Sequence, residues 1–164
     1  MEQVVKSWLS MSRDELDEAY RNATIDNIPI GDTRGTAILA GSAFSKVVAF
    51  IARLFFWQGK VFDLFPSNRE NAVLVNKITP FGLSFIVAKV YKDTSWLDGK
   101  ETIVIDYSKT SFFARKIRDE IREVQPGVFL GKVWWGKTRI LDFALTCVDQ
   151  EQTSNDSLKP QDSL

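Results

Sequence analysis

Downstream of Ala72 the chain consists of short segments in which apolar and polar residues tend to alternate, separated by turn-forming residues. Alternation with a period of two residues is typical of β-strands that bury one face. These segments predict strands at 72–78, 82–92, 101–107, 117–125, 128–135 and 138–148. Turn dipeptides such as Asp98-Gly99 and Gly136-Lys137 join consecutive strands into hairpins, so the pattern predicts a largely antiparallel sheet.

The segment 117–125 fits two kinds of structure. In a helix, Ile117, Ile121 and Val124 would lie on one apolar face. In a strand, successive residues would lie on opposite faces: Ile117, Asp119, Ile121 and Glu123 on one, and Arg118, Glu120, Arg122 and Val124 on the other. We favour the strand because the Pro126-Gly127 turn leads directly into the next strand.

The N-terminal third of the chain predicts two helices and two further strands. Ser12 and Glu15 have the spacing of a capping box and predict a helix over 12–21. An apolar stripe predicts a second helix over 43–56, which would pack on the sheet, form a lid over a cavity or lie on a membrane surface. Strands are predicted at 33–41 and 57–63.

These elements predict a mainly β protein with two N-terminal helices and about eight antiparallel strands, which can close into a barrel. The length is that of one domain, which we place at residues 1–148. Residues 149–164 contain no aromatic residue and no glycine and are rich in polar residues. We therefore expect them to form a disordered tail.

The composition excludes several classes of function. Lys plus Arg equals Asp plus Glu, at 21 each, so the chain lacks the basic excess of a general nucleic-acid binder. The sequence contains no histidine, which excludes Ser-His-Asp and Cys-His catalysis and any His-ligated metal site. Acid–base chemistry would need Asp, Glu, Lys, Tyr or Cys, and we expect no metal and no cofactor.

A single cysteine, Cys147, cannot form an internal disulfide, which favours a reducing compartment and a cytoplasmic location. We expect no signal peptide, because the first residues lack a basic segment followed by an apolar one. No apolar run reaches the roughly 20 residues of a transmembrane helix.

Three polar residues of the predicted strands are candidates for catalysis. Asp119 lies between two isoleucines on one face of its strand, and Lys132 lies on the strand that follows the 126–127 turn. The two could approach one another in the barrel, although both could equally face solvent or form a structural ion pair. Tyr107 is predicted to point inward, as a pocket residue or as a hydrogen-bonded core tyrosine.

Arg118 and Arg122 belong to a stretch of mixed charge. They could form surface ion pairs, or they could hold the carboxylate of a ligand, for which a guanidinium is well shaped. Either arginine could also hydrogen-bond the Tyr107 hydroxyl. Aromatic side chains would fill a small barrel or line its cavity. The residues expected to make apolar contact with a ligand are Trp57, Phe85, Tyr107, Trp134 and Phe143.

Several short motifs resemble those of a known family. Residues 57–63 (Trp-Gln-Gly-Lys-Val-Phe-Asp) resemble the Trp-x-Gly-Lys-x-Phe segment of the uncharacterised GXWXG-type domains. Residues 31–35 resemble the early Gly-x-Trp-x-Gly element of lipocalin-like domains, with Thr33 in place of the Trp. The resemblance implies a lipocalin-like, calycin-type barrel that binds an apolar ligand, and it implies no particular catalytic activity.

Three functions are compatible with these observations. The first is binding of a small hydrophobic ligand, such as a lipid, fatty acid or isoprenoid-like molecule, inside a barrel. The second is a histidine-free isomerase, cyclase or hydrolase that acts on a hydrophobic substrate in the same cavity, with Asp119, Lys132 or Tyr107 as acid or base. The third is an interaction module with a filled interior. Whether the protein is an enzyme is left open.

Overall fold

The computed structural model of the chain describes residues 2–25, 28–39, 60–64, 72–76, 86–108 and 114–148. Within these ranges lie two α-helices, α1 (Glu2–Trp8) and α2 (Arg13–Arg21), and a short 3-10 turn at Ala114–Lys116. The strands are β1 (Gly31–Ile38), β2 (Lys60–Leu64), β3 (Ala72–Asn76), β4 (Ile86–Thr94), β5 (Glu101–Asp106), β6 (Ile117–Gln125), β7 (Val128–Trp135) and β8 (Thr138–Cys147).

Every strand pairs with the next one in antiparallel orientation. Strand β8 also pairs with β1, for example Gly35 with Leu145, so the eight described strands form a closed barrel in chain order. Consecutive pairing is expected when short turns join the strands, as Pro126-Gly127 and Gly136-Lys137 do here. The mainly β class and the antiparallel pairing are confirmed.

The two described helices differ in part from the two that the sequence predicts. The helix predicted over 12–21 is confirmed as α2, with Ser12 as N-cap and a capping box to Glu15. Helix α1 was not predicted. The predicted helix over 43–56 and the predicted tail over 149–164 lie outside the described residues. The segment 117–125 is a strand, which settles the choice between helix and strand.

The barrel wall separates two apolar clusters. Residues such as Ile103, Ile121 and Phe143 point into the barrel and form the larger cluster with neighbouring strands. On the outer face, helices α1 and α2 bury Trp8 and Leu16 against strands β1, β7 and β8. Strand residues alternate between the two faces, so each residue of β6 belongs either to the lumen or to the outer wall.

One end of the barrel is closed by the segment that follows α2. Thr24 exchanges two backbone hydrogen bonds of 2.9 Å with Glu123, near the end of β6. Beyond this bridge, Ile25 and Ile28 pack against the apolar cluster of the lumen. We call this end, which also contains the 126–127 turn, the capped end. At the opposite end lie Tyr107 and the start of β6.

A glycine on β7 allows an aromatic ring from β8 to lie against the β7 backbone inside the lumen. Gly131 is paired with Phe143 on β8, and a Cβ built on Gly131 would overlap the Phe143 ring. The aromatic ring therefore lies directly over the backbone of β7. Only a residue without a side chain fits beneath it.

Candidate functional site

The most distinctive polar group in the lumen is the side-chain pair formed by Tyr107 and Asp119. The Tyr107 hydroxyl donates a hydrogen bond of 3.1 Å to Oδ2 of Asp119. Asp119 is 0% exposed and Tyr107 is 1% exposed. Asp119 pairs across the sheet with Ile105 on β5 and Val133 on β7, which are both buried and apolar. A carboxylate and a phenol are thus held together within an otherwise apolar part of the wall.

The pair lies toward the end of the barrel opposite the capped end. Asp119 is the third residue of β6, whereas Glu123, which is bridged to Thr24, lies near the other end of the same strand. Tyr107 directly follows β5, at the same end as the start of β6. A molecule that reached the lumen past this end would meet the pair before the apolar residues at the capped end.

Arg118 and Arg122 do not lie where they could hold the carboxylate of a ligand in the lumen, and of the two alternatives the structure shows ion pairs. Both residues have even numbers on β6 and lie on the outer face, because Asp119 and Ile121 occupy the lumen face. The Tyr107 hydroxyl donates to Asp119. The residue types were suited to a ligand carboxylate, but strand alternation aims them away from the lumen.

Arg122 is the centre of a buried network on the outer wall. It is 1% exposed and donates two hydrogen bonds, of 2.6 and 2.7 Å, to the two carboxylate oxygens of Asp98. It also donates to the backbone carbonyls of Glu101 and Tyr20, and its guanidinium lies 4.4 Å from the centre of the Tyr20 ring. These hydrogen bonds hold the pKa of the Asp98 carboxyl below its ordinary value. Arg122 therefore attaches the β4–β5 loop and helix α2 to the barrel.

Glu120 and Arg118 extend this network toward the start of β6. Glu120 is fully buried and accepts hydrogen bonds from the Ser95 hydroxyl at 2.7 Å and the Trp96 backbone N–H at 2.9 Å. It also accepts a hydrogen bond from Nε of Arg118 at 3.1 Å. Arg118 forms a second ion pair with Asp93, also at 3.1 Å. Arg118 thus has a partner at the end of β4, and Glu120 has partners in the loop that follows β4.

Of the alternatives that the sequence left open for Lys132, the approach to Asp119 does not occur. Lys132 pairs with Glu120 across the sheet and therefore shares the outer face with it, whereas Asp119 pairs with Val133 on the lumen side. The Lys132 ammonium is fully buried beneath α2, where it contacts Asp17 at 2.9 Å and Asp142 at 3.0 Å. It also donates a hydrogen bond to the backbone carbonyl of Leu16. The lysine is part of the attachment of α2.

Asp17 is held by two cations, because Arg139 on β8 also forms an ion pair with it. Burial disfavours the charged carboxylate of Asp17, but the hydrogen bonds and charges of Lys132 and Arg139 outweigh that cost and keep its pKa below the ordinary value. The carboxylate is therefore kept ionised between the helix and the wall.

The aromatic candidates are distributed over both faces. Phe143 lies in the lumen cluster, as expected. Trp134 lies on the outer wall in an edge-to-face contact with Trp96, with 5.8 Å between ring centres, so its expected position in the lumen is wrong. Trp134 follows the ordinary alternation of β7: it shares the outer face with Lys132, whereas Val133 and Trp135 pack with the lumen cluster. Trp57 and Phe85 lie outside the described residues.

Sequence reasoning missed most partners in the outer network. Asp17, Tyr20 and Asp98 were not singled out, although each contacts a buried cation on β6 or β7. The charged residues at every second position of β6 did indicate that these side chains share one face of the strand. The missing information was that α2 and the β4–β5 loop cover this row, and no local pattern encodes such a contact between distant segments.

The described residues offer acid–base groups in the lumen but no metal site. No group of three or more potential ligands among Cys, Asp and Glu is placed to hold a metal ion in this part of the chain. Of the three catalytic candidates, the structure brings Tyr107 and Asp119 together and leaves Lys132 on the other side of the wall. None of the helices within the described ranges is both long enough and apolar enough to cross a membrane.

A groove on the outer wall is a less suitable ligand site. It lies between α1 and strands β1 and β8, where Glu2 and Arg34 contribute to its lining, and it encloses about 220 Å³. Sites for small molecules usually enclose about 300–1,000 Å³. The polar pair in the lumen is therefore the stronger candidate.

Comparison with known proteins supports the fold and no function. No family model and no curated protein matches the chain. A solved structure, described as the crystal structure of a protein from Thermomonospora curvata, is similar with a TM-score of 0.61 and 19% sequence identity. The similarity covers 90% of this chain and 95% of that one, so it extends over nearly the whole fold. At this level of identity it shows a shared architecture alone.

Proposed function

We propose that this protein is a lipocalin-like carrier that binds one small hydrophobic molecule in the lumen of its barrel. The observation that supports the proposal most is the Tyr107–Asp119 pair, a hydrogen-bonded polar group in an apolar wall. Ligand sites commonly combine apolar walls with a few well-placed polar groups. An eight-stranded barrel is just wide enough to be filled by side chains or to hold one small ligand.

The arrangement of the two barrel ends is compatible with entry from one side. Ile25 and Ile28 close the lumen at the capped end, and Thr24 fixes their segment to β6 through backbone hydrogen bonds. A ligand would then enter from the opposite end, with its apolar part directed toward the capped end. In that pose its polar group would lie beside Tyr107 and Asp119.

The proposal can be tested by filling the lumen. Ala88 is fully buried on the lumen face of β4, and its neighbour Lys89 is exposed on the outer face. We expect the wild-type protein to bind lauryl alcohol, detected by native mass spectrometry and tryptophan fluorescence. We expect Ala88→Phe to remain folded and to lose this binding, because the added ring would occupy the ligand's space.

Lys89→Phe is the matched control, since it adds the same ring to the outside of the same strand. It should bind as the wild type does. One combination of results would contradict the proposal. If Ala88→Phe unfolds the protein and the wild type binds neither lauryl alcohol nor a co-purified apolar compound, the lumen is filled by side chains and the carrier function is wrong.

A further inference from the structure

We propose that the end of the barrel opposite the capped end docks on a membrane surface that contains anionic lipids. We call this end the entry end. The docking surface consists of the described residues Trp96, Arg115, Lys116, Trp135 and Lys137. None of them belongs to the polar pair on which the carrier function rests, so this inference goes beyond that function and stands on its own observations.

Exposed cations gather at the entry end because two short segments lie against one another there. The 3-10 turn before β6 carries Arg115 and Lys116, and the turn between β7 and β8 carries Lys137. The backbone N–H of Gly136 donates a hydrogen bond of 2.8 Å to the carbonyl of Lys116, so the two segments are in contact. All three cationic side chains are exposed. The entry end therefore presents a group of positive charges to the surroundings.

Two half-buried tryptophans lie beside these cations. Trp135 is the last residue of β7 and directly precedes the turn that carries Lys137. The centre of the Trp96 ring lies 3.6 Å from the Lys137 ammonium and 4.5 Å from the guanidinium carbon of Arg118. Tryptophan together with Lys and Arg is typical of protein surfaces at a membrane–water boundary. The indole lies at the level of the lipid headgroups, and the cations attract anionic lipids.

Charge is divided unevenly between the two ends of the barrel. By sequence, the segments that connect strands at the entry end, 39–59, 77–85, 107–116 and 136–137, contain seven Lys and Arg residues and no Asp or Glu. Among the strand residues that border these segments, Asp106 is acidic, and its Oδ1 accepts a hydrogen bond from the Ser108 backbone N–H. The segments at the capped end, 65–71, 95–100, 126–127 and 148–164, contain six acidic and three basic residues. This separation would turn the entry end toward an anionic surface.

A membrane fits this surface better than a nucleic acid does. Lys plus Arg equals Asp plus Glu over the whole chain, at 21 each, whereas a nucleic-acid binder usually has a basic excess. An apolar ligand of the lumen would also be dissolved in the membrane, so docking would place the entrance of the barrel where the ligand is.

The test measures co-sedimentation of the full chain with vesicles. One set contains phosphatidylcholine alone, and the other contains phosphatidylcholine and phosphatidylglycerol in equal parts. We expect binding to the second set only. Raising the salt concentration from about 0.1 M to about 1 M should abolish it, because the Debye length falls from about 10 Å to about 3 Å.

Removing two cations of the docking surface should weaken this binding. Each Lys or Arg near an anionic membrane contributes about fivefold, so Lys116→Gln combined with Lys137→Gln should bind about twentyfold more weakly. Both side chains are exposed, so the double variant should melt at the wild-type temperature. Arg21→Gln combined with Lys100→Gln is the matched control, because it removes two exposed cations at the capped end and changes the net charge equally. The control should bind the vesicles as the wild type does.

The inference is overturned if the wild type binds neither set of vesicles, binds both sets equally, or loses as much affinity in the capped-end control. It is also overturned if a single-stranded oligonucleotide binds more tightly than the anionic vesicles, since the partner would then be a nucleic acid.

Binding of lauryl alcohol without vesicles keeps the two proposals apart. We expect the Lys116→Gln, Lys137→Gln variant to bind it as the wild type does. A wild type that binds lauryl alcohol but no vesicle keeps the carrier function and loses the docking surface, and the reverse result contradicts the carrier function while the docking surface stands.

Discussion

Strand β6 carries charged side chains on both faces, and the partners of these side chains differ between the two faces. On the outer face, Arg118, Glu120 and Arg122 each have two or more charged or polar partners supplied by segments distant in sequence. On the lumen face, Asp119 lies between Ile117 and Ile121 and accepts a hydrogen bond from Tyr107. The outer charges thus attach parts of the fold to one another, whereas the inner carboxyl group faces the lumen and contacts a neighbouring side chain there.

The comparison shows why the residue type alone is a poor guide to function. Arg122 and Lys132 are the kinds of residue that bind anionic ligands, but each is almost fully buried in ion pairs on the outer wall. Burying a charge is costly unless it is paired and hydrogen-bonded. The extensive pairing on the outer face is therefore what allows these residues to be there, and it makes them structural.

Disrupting the outer network should have the largest effect. Lys132→Ala removes the cation that contacts both Asp17 and Asp142, and leaves buried carboxylates without that partner. Removing one partner of a buried ion pair typically costs about 3–5 kcal/mol. We expect a loss of this size in the free energy of unfolding, measured by urea denaturation with circular dichroism.

Lys137→Ala is the matched control for that experiment. Lys137 is exposed, and its ammonium lies 3.6 Å from the centre of the Trp96 ring. A cation–π contact at an exposed site contributes about 0.5–1 kcal/mol. Equal losses for the two lysine variants would mean that the pairing beneath α2 contributes little, and would remove the distinction between buried and exposed charges on this face.

Overpacking the lumen wall should have an intermediate effect. Gly131→Ala places a methyl group against the Phe143 ring, which must move for the side chain to fit. Overpacking of this kind typically costs about 1–3 kcal/mol. Combining it with Phe143→Leu should recover part of the loss, because the smaller side chain vacates the space above Gly131.

The free energies of unfolding of the two single variants and the double variant test this coupling. If the two substitutions are simply additive, the ring and the glycine do not compete for the same space. Such a result would contradict the close approach of Phe143 to β7.

Local pattern was enough to predict most of the strands. The bounds predicted for 117–125 and 128–135 are those of β6 and β7, and the turn between them is at Pro126-Gly127 as expected. Alternation along β6 also assigned Asp119 and its neighbours Arg118 and Glu120 to opposite faces correctly. These features depend on neighbouring residues alone, so a single sequence contains them.

The sequence did not reveal which face is the lumen or what covers the other face. Glu120 and Arg122 look like members of a solvated row, but the contacts of Glu120 with Ser95 and of Arg122 with Asp98 bury them. Helix α1 was missed because its seven residues carry no capping box that would mark its start. Tyr107 and Asp119 were both candidates, but their contact joins two strands through a register that the sequence does not specify.

The smallest effect that we predict concerns acid sensitivity of the outer network. Hydrogen bonds from Arg122, with smaller contributions from the Lys100 backbone and charge, hold the pKa of Asp98 below its ordinary value in the folded protein. The unfolded chain therefore takes up a proton at Asp98 before the folded protein does as the pH falls. The stabilisation is fully present above the unfolded pKa of about 3.9 and is lost as the pH falls through the lower, folded value.

Asp98→Asn should accordingly lower the free energy of unfolding by about 1 kcal/mol at neutral pH, since the amide oxygen still accepts one hydrogen bond from Arg122. The difference between wild type and variant should shrink below about pH 4, where the aspartate of the wild type becomes protonated in the unfolded chain. Asp14→Asn, at an exposed position on α2, should show a smaller effect. Urea denaturation between pH 7 and pH 3 measures both; a difference for Asp98→Asn that stays constant across this range would mean that its charge does not stabilise the outer wall.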